Sequence, residues 1–297
     1  MTNTVIIIVG PTAVGKTAAA IRLARHFNTR IISADSRQCF RELNIGVAKP
    51  SPEELAAVPH YFINTYSITE EVSAATFEEE ALLWTAEIFR ESPVAVMVGG
   101  TGLYIRAFTN GLDAIPPVDQ SIRGHIREQY EVHGLAWLQG EIQKYDPEYY
   151  SKGEILNPQR LMRALEVRMS TGQSILSFQN QQPRERSFKI RTIGLNLPRE
   201  QLNERIHDRV DRMMAQGLLK EVEGLLPYRS HNALQTVGYT ELFHYLDGNG
   251  TLEHAIEAIK TNTRQYAKRQ LTWFHRDLSV QWADPAADLE KMIQDKK

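Results

Sequence analysis

The chain has 297 residues, enough for one large domain or two, and its 42% hydrophobic and 24% charged residues are typical of a globular protein. No apolar run approaches the roughly 18 residues that span a membrane, and the single cysteine, Cys39, excludes an internal disulfide framework and a cysteine-based zinc site. The net charge of −2 excludes a general attraction for nucleic acid. We expect no signal peptide, because no basic leader precedes the apolar N-terminal run, and a cytoplasmic protein, which the single cysteine fits.

A phosphate-binding loop (P-loop) is the first predicted feature. An apolar, strand-like run at 5–9 precedes a match to G-x-x-x-x-G-K-[ST], and a helix-like segment at 18–27 follows it. Backbone N–H groups and the helix N-terminus attract an anion there, Lys16 adds a positive charge, and the Thr17 hydroxyl can bind Mg²⁺. We therefore expect a polyphosphate to be held by Gly10, Pro11, Thr12, Ala13, Val14, Gly15, Lys16 and Thr17.

Asp35 directly follows a second strand-like run at 30–34. Groups just past the carboxyl ends of parallel strands line the binding crevice, so we expect Asp35 to face the P-loop. A carboxylate there can accept a proton from a nucleophile or hold Mg²⁺ through water. Since Asp-Ser is also a common helix start, a helix N-cap is the alternative.

The next elements are a helix at 76–91, with Thr76 and Glu79 as a capping box, and a strand at 94–98. That strand ends in the glycine turn 99–102 and has no acidic residue, whereas a P-loop NTPase usually places an Asp at a strand end. Thr101 in this turn can contact a phosphate, and a tight packing turn is the alternative.

A change of pattern after Pro116 and Pro117 predicts a helical insertion. It contains a good helix start at Asn157-Pro158 and a helix at 159–170, and a strand at 189–197 then restores the first domain. We predict an α/β fold, a P-loop NTPase-like parallel sheet flanked by helices, with an all-helical insertion domain. The core domain is discontinuous, at 1–115 and 186–297, and the insertion is at 116–185.

Positive charge is concentrated in two helical segments. In the insertion, Arg160 and Arg163 share a helix face. The segment 260–276 contains five Lys or Arg residues and no acid, with aromatic residues interleaved. Such a helix can lie along a phosphate backbone. A solvated helix face is the alternative for both segments.

Seven segments, in order and correctly spaced, resemble the tRNA dimethylallyltransferases, also called tRNA isopentenyltransferases. They are GPTAVGKT at 10–17, ADSRQCF at 34–40, IGVAKP at 45–50, GGTGLY at 99–104, NPQRLMRALEV at 157–167, VGYTE at 237–241 and RQYAKRQLTWF at 264–274. The resemblance covers nearly the whole chain. One departure is the run HYFIN at 60–64, where many members have a sequence like HHLID. The chain lacks the zinc-finger extension of eukaryotic relatives, so we expect the bacterial form.

The resemblance implies transfer of the dimethylallyl group from dimethylallyl diphosphate to N6 of adenine 37 of tRNA, on the 3′ side of the anticodon. It implies that Asp35 takes the N6 proton, that Thr101 contacts the donor phosphate and orients Asp35, and that Arg209 helps to bind the diphosphate. We expect Mg²⁺ as cofactor and a monomer, with the insertion contacting the anticodon stem-loop. The expected tRNA contacts are Asp35, Ser36, Arg37, Gln38, Thr101, Arg123, Gln159, Arg160, Leu161, Met162, Arg163, Lys268 and Arg269.

Two alternatives come from other functional classes. An ATP-dependent kinase of a small metabolite, with Asp35 as the base for a hydroxyl acceptor, fits the fold and the P-loop equally well. The missing strand-end acid and the basic helix speak against it. A non-catalytic RNA-binding ATPase switch would leave Asp35 and Thr101 without a role.

Overall fold

The computed structural model of the chain describes residues 2–179 and 182–294. These residues form six β-strands, which are β1 (Thr4–Val9), β2 (Ile31–Ser33), β3 (His60–Tyr61), β4 (Val94–Val98), β5 (Lys189–Leu195) and β6 (Gln281–Ala283). They also form twelve α-helices, which are α1 (Lys16–His26), α2 (Pro52–Ala57), α3 (Ala74–Ile88), α4 (Gly102–Asn110), α5 (Gln120–Tyr145), α6 (Pro147–Lys152), α7 (Pro158–Thr171), α8 (Arg199–Ala215), α9 (Leu218–Gly224), α10 (Tyr239–Leu246), α11 (Leu252–Phe274) and α12 (Leu289–Gln294).

All six strands form one parallel sheet in the order β3-β2-β4-β1-β5-β6. The central strand β1 is buried on both faces: Val5, Ile7 and Val9 face one apolar core, and Ile6 and Ile8 face the other. This two-sided burial explains why β1 reads as a continuous apolar run. The predicted parallel sheet with flanking helices is confirmed. The carboxyl ends of β1, β2 and β4 meet at one edge, where their following loops form the candidate site.

The chain divides into two compact units, Met1–Asn110 with Glu185–Lys297, and Gly111–Arg184. The first unit contains the sheet, and the second contains α5, α6 and α7 around its own apolar core. In α7 the Asn157 side chain accepts a hydrogen bond from the Arg160 N–H, Pro158 is the first helical residue, and Gly172 ends the helix with a φ of 74°. The helix start and stop predicted there are confirmed. No helix of the described residues is long and apolar enough to cross a membrane.

The start of α3 differs from the prediction. Ser73 is the N-cap, and its hydroxyl accepts a hydrogen bond from the Thr76 N–H at 3.1 Å. Thr76 is therefore the third helical residue and the partner in the capping box, so the predicted Thr76–Glu79 box is wrong. Two overlapping cap sequences are present, and the helix begins at the earlier one.

Candidate active site

The P-loop between β1 and α1 depends on glycine at two positions. Gly10 has a φ of 141° and Gly15 a φ of 103°, both in the region that favours glycine. A Cβ on Gly10 would also lie 2.5 Å from the carbonyl oxygen of Leu195. The loop can adopt this path only with glycine at these points, and the path turns its backbone towards a cavity.

Lys16, the first residue of α1, extends its side chain back to the start of this loop. Its Nζ donates hydrogen bonds to the carbonyl oxygens of Gly10 at 3.0 Å and Pro11 at 2.7 Å. Burial, followed by the nearby charge of Arg209, lowers the pKa of Lys16 to about 7, with Asp35 opposing them. A buried cation at this point is stabilised when an anion binds beside it.

Three arginines of α8 surround the P-loop. Arg209 donates from Nη1 to Thr12 Oγ1 at 3.2 Å, and Arg205 donates to the Val14 carbonyl at 3.4 Å. Burial lowers the pKa of Arg209, although a guanidinium remains charged at neutral pH. Arg205 and Arg212 line the same cavity as Lys16. Of the three, only Arg209 was predicted from the sequence. Arg205, Arg209 and Arg212 are four and three residues apart, a spacing that places them on one face of a helix, so the sequence could have predicted all three.

Asp35 closes a tight turn after β2. Its Oδ1 accepts hydrogen bonds from the N–H groups of Arg37 at 2.9 Å and Gln38 at 3.3 Å. No helix follows, because residues 36–39 form a turn. The expected N-cap geometry is thus present without a helix. Oδ2 has no hydrogen-bond partner within the described part of the chain, which leaves one carboxylate oxygen for chemistry.

Thr101, in the glycine turn after β4, holds the Asp35 turn. Its hydroxyl oxygen accepts a hydrogen bond from the Ser36 N–H at 3.1 Å and lies 3.4 Å from the Ser36 hydroxyl. The contact is with the neighbour of Asp35 rather than with the carboxylate. Gly99 allows the close approach, since a Cβ there would lie 2.2 Å from the Ala34 carbonyl oxygen.

Two cavities meet at Asp35. The larger, of about 1020 Å³, contains Lys16, Thr17 and the three α8 arginines. The smaller, of about 520 Å³, contains Ser36, Arg37, Tyr266 and Arg269. Their shared lining residues are Thr12, Asp35, Val47, Ala48, Arg209 and Met213. A phosphate-bearing molecule in the larger cavity and a second molecule in the smaller one can therefore react beside Asp35.

Helix α11 provides one wall of the smaller cavity. Burial, followed by the Asp35 carboxylate, raises the pKa of Tyr266 to about 12, so the phenol stays neutral. The Arg269 guanidinium lies 5.8 Å from the centre of the Tyr266 ring. A flat aromatic ring and a cation beside an open carboxylate suit a planar base attached to a phosphate backbone.

The loop at 44–49 forms a wall of both cavities, and sequence reasoning missed what holds it. The Glu221 carboxylate on α9 accepts hydrogen bonds from three successive N–H groups, those of Asn44, Ile45 and Gly46, at 2.8–3.2 Å. It also accepts one from the Tyr239 hydroxyl at 2.6 Å. A carboxylate seated on consecutive amides makes strong, charge-assisted bonds. No local sequence signal links Glu221 to this loop.

Lys49 holds the other end of this loop. Its Nζ donates to the Phe40 carbonyl and to Asn64 Oδ1, both at 2.5 Å. Burial lowers the pKa of Lys49 to about 8, with Glu221 opposing. The Asn64 side chain thus acts here as a neutral acceptor. Gln38 joins the same loop by donating to the Val47 and Ala48 carbonyls.

The predicted tRNA contacts of the insertion lie in the second unit. Arg123 and Arg163 both contact Glu166, at 3.5 Å and 3.4 Å, and that carboxylate is buried. Gln159 and Arg160 are exposed at the start of α7. Leu161 and Met162 are buried in this unit's core, and their contact with tRNA stays a prediction. They belong to the apolar stripe of an amphipathic helix.

The basic segment on α11 is divided among different surroundings. Arg269 lines the smaller cavity, whereas Lys268 lines a separate groove with Arg199 and Arg264. Lys260 is neutralised by Asp211 at 2.9 Å and Glu257 at 3.0 Å. The segment 260–276 contains no acidic residue, but acidic side chains from outside the segment contact it. Lys268 and Arg269, the two phosphate contacts predicted on α11, are both exposed.

Residues 38–277 match the family model described as IPP transferase. Similar curated proteins include the tRNA dimethylallyltransferase of Christiangramia forsetii, 51% identical over 282 residues that cover 95% of this chain and 93% of the relative. The tRNA dimethylallyltransferase 1 of Bacteroides thetaiotaomicron is 47% identical over 287 residues, 97% of this chain and 93% of the relative.

Solved structures with the same fold include the full-length tRNA isopentenylpyrophosphate transferase of Bacillus halodurans, with 37% identity, a TM-score of 0.70, and coverage of 99% of this chain and 94% of that chain. A eukaryotic dimethylallyltransferase acting on tRNA has 29% identity and a TM-score of 0.77, and covers 99% of this chain and 77% of that chain. The family expected from the sequence is confirmed: with a matching family model over residues 38–277 and near full-length relatives, the chain belongs to the IPP transferase family.

Proposed function

We propose that the protein transfers the dimethylallyl group of dimethylallyl diphosphate to N6 of adenine 37 in tRNA. The observation that carries this proposal is the position of Asp35 at the junction of a cationic, phosphate-binding cavity and a second cavity lined by Tyr266 and Arg269. The similar curated proteins are named tRNA dimethylallyltransferase, and none of these names supports the kinase alternative.

The donor diphosphate binds at the P-loop. Loop amides, Lys16 and Arg209 surround its oxygens, and Arg205 and Arg212 add positive charge at the cavity wall. The bond from the allylic carbon to the diphosphate oxygen breaks, and the oxygen takes the bonding electron pair. Cations held in place before the reaction stabilise that growing charge without reorganisation.

The acceptor adenine enters the smaller cavity after leaving its stack in the anticodon loop, because a stacked base is out of reach. Its N6 forms the new bond to the allylic carbon, and Asp35 Oδ2 accepts the proton that N6 loses. Oδ1 stays bound to the turn and fixes the carboxylate orientation. The products are N6-dimethylallyladenosine and diphosphate.

Magnesium fits this site as a cofactor. Among residues 2–179 and 182–294, no group of three or more His, Cys, Asp or Glu side chains could hold a metal ion. Mg²⁺ needs only one or two protein oxygens when substrate phosphates and water complete its shell. Thr17 would hold it directly and Asp35 through water, as both line the larger cavity. When bound, the ion neutralises charge on the departing diphosphate.

We also propose the tRNA-binding residues. Lys268 and Arg269 of α11 and Arg160 of α7 are exposed cations that can contact backbone phosphates. Ser36, Arg37 and Tyr266 line the cavity for the base. One chain supplies all these residues, so we infer a monomer, and we infer a cytoplasmic enzyme because that is where its tRNA substrate is.

The test is incubation with unmodified tRNA, Mg²⁺ and radiolabelled dimethylallyl diphosphate, with ATP hydrolysis measured in parallel. We expect label in tRNA, dependence on Lys16, and no tRNA-stimulated ATP hydrolysis. Lys16→Ala is the control variant that removes the P-loop charge. ATP hydrolysis stimulated by tRNA, without transfer of label, would overturn the proposal.

A further inference from the structure

Gln270 joins two loops that lie on neighbouring strands of the sheet. Its side-chain Oε1 accepts a hydrogen bond from the Thr12 N–H of the P-loop at 2.8 Å. Its Nε2 donates to the carbonyl oxygen of Gly100, in the turn after β4, at 3.0 Å. One carboxamide thus uses its acceptor and a donor to link two glycine turns that are far apart in sequence.

The sheet itself does not fix the separation of these two turns. The ladder between β1 and β4 ends at the hydrogen bond from the Gly99 N–H to the Ile8 carbonyl, at 3.1 Å. Past that point each turn must follow its own path to the cavity. Gln270 makes its two contacts just past this point, so its carboxamide joins Thr12 and Gly100 where the strand ladder no longer does.

The surroundings of Gln270 are fitted closely to it. The residue is only 5% exposed, although it is polar and lies on a helix that is otherwise exposed in part. Gly100 has no side chain, and a Cβ there would lie 2.1 Å from Gln270 Nε2 and 3.7 Å from Lys16 Nζ. A side chain at this position would therefore displace the Gln270 carboxamide from the turn.

Gln270 also lies on the helix that lines the acceptor cavity. Tyr266, one turn earlier on α11, and Arg269 both line the cavity with Asp35. The P-loop lines the cavity of the donor. Through the Gln270 carboxamide, α11 is therefore hydrogen-bonded to the P-loop, which binds the leaving group.

We propose that Gln270 is a positioning residue for the donor, which holds the P-loop and the Gly99–Gly102 turn at the separation that fits a diphosphate group. This inference rests on the proposed function, because it assumes a diphosphate at the P-loop. Gln270 acts through Thr12 and Gly100 rather than on the reacting atoms. With these two hydrogen bonds in place, the loop does not have to be ordered by the donor itself, so part of the entropic cost of binding is removed.

The first variant is Gln270→Met, which keeps the length and helix propensity of the side chain and removes both hydrogen bonds. We expect the KM for dimethylallyl diphosphate and the Kd for inorganic diphosphate with Mg²⁺ to rise about tenfold or more, since two hydrogen bonds are removed. The kcat at saturating donor and the Kd for tRNA should change less than about threefold. Gln265→Met is the matched control, as Gln265 is exposed on another face of α11.

A second variant tests the same contact from the other side. Gly100→Ala places a methyl group against Gln270 Nε2 and should raise the same two constants. In the Gln270→Ala background, the added Gly100→Ala change should have little further effect, because the contact it breaks is already absent. Additive effects would mean that Gly100 and Gln270 act independently and would overturn the inference.

The outcomes separate this inference from the proposed function. If the wild-type protein does not bind inorganic diphosphate with Mg²⁺, the donor site itself is wrong. If wild type binds it, and Gln270→Met lowers the melting temperature while KM and Kd stay within about twofold of wild type, Gln270 is only a structural residue and the inference fails. The inference is supported if Gln270→Met raises the KM for dimethylallyl diphosphate and the Kd for inorganic diphosphate with kcat unchanged, and Gln265→Met raises neither constant.

Discussion

The Thr101 hydroxyl accepts a hydrogen bond of 3.1 Å from the backbone N–H of Ser36, the residue after Asp35. The turn after β4 thereby holds the turn after β2. Asp35 closes its own turn through Oδ1. The carboxylate is thus fixed from two sides, and its second oxygen is left at the junction of the two cavities.

We expect Thr101→Val to lower the rate of transfer about tenfold, because an isosteric methyl group leaves the Ser36 N–H without an acceptor and frees the Asp35 turn. Thr101→Ser keeps the hydroxyl and should keep most of the rate. Single-turnover transfer at saturating donor measures both. An equal loss in the two variants would show that the methyl group, and not the hydrogen bond, matters.

Donor binding should be linked to a proton on Lys16. The pKa of about 7 in the free protein, which burial and Arg209 set, rises when a diphosphate binds next to Nζ. Above about pH 7, binding therefore takes up a proton and weakens as pH rises, whereas below that pH Lys16 is already charged and the uptake disappears.

Calorimetry at about pH 8 in buffers of different ionisation heat measures this uptake. Lys16→Arg is the matched variant, because a guanidinium stays charged and should show no uptake. Lys49 lines the same cavity, and its pKa of about 8 makes it the competing group that could take up the proton. Uptake that survives in Lys16→Arg and disappears in Lys49→Arg would assign the proton to Lys49.

The local backbone of the site could be predicted from the sequence, because its signals are short. The P-loop glycines, the position of Asp35 after β2 and the start of α7 at Asn157 each follow from a few adjacent residues. These motifs encode dihedral angles and caps, which depend on neighbours in the chain. They required no knowledge of tertiary contacts.

The supports of the site could not be predicted in the same way. Glu221 holds the loop at 44–46, and Gln270 bridges Thr12 and Gly100, through contacts between residues far apart in sequence. A single glutamate or glutamine on a helix has the same local pattern whether it faces solvent or a buried amide. The neutralisation of Lys260 in the basic segment could not be predicted for a related reason, since its acidic partner Asp211 lies on another helix.

Glu221→Gln should destabilise the protein and weaken the donor site. The carboxylate accepts from three backbone N–H groups and the Tyr239 hydroxyl, and an amide turns an N–H₂ donor towards some of these donors. We expect a decrease of about 1–3 kcal/mol in the free energy of unfolding. The KM for the donor should rise because the 44–49 loop lines its cavity.

Urea unfolding and donor titrations test this prediction, with Glu223→Gln as the control on the exposed side of α9. If both variants unfold at the same urea concentration as wild type, the four hydrogen bonds to Glu221 contribute nothing measurable.

Charge reversal on α11 should separate phosphate contacts from neutralised charge. Lys268→Glu and Arg269→Glu should each weaken tRNA binding and reduce the slope of log K against log salt by about 0.7–0.9 for each tRNA phosphate that the variant no longer neutralises. Lys260→Gln should leave the slope unchanged, because Asp211 and Glu257 already pair with that ammonium. Filter binding over a series of salt concentrations measures the slopes. Equal slopes in all the variants and wild type would place the tRNA elsewhere.

Asp35→Asn is the sharpest test of the reaction itself. The Asn Oδ1 can still accept from the Arg37 and Gln38 N–H groups, so the turn keeps its shape. Only Oδ2 changes, from an oxygen that accepts the N6 proton to an amide nitrogen that cannot. Loss of a general base typically costs about 10²–10⁴-fold in rate, so single-turnover transfer should fall by that factor.

The affinity of Asp35→Asn for tRNA should stay within a few-fold of wild type, because the residues that bind the phosphates are untouched. Single-turnover transfer with saturating donor and a binding assay on the same protein separate the two effects. A near-normal transfer rate would mean that stabilisation of the departing diphosphate carries the reaction, and that Asp35 serves only to close its turn. Loss of tRNA binding together with rate would instead make Asp35 a recognition residue for the extruded adenine.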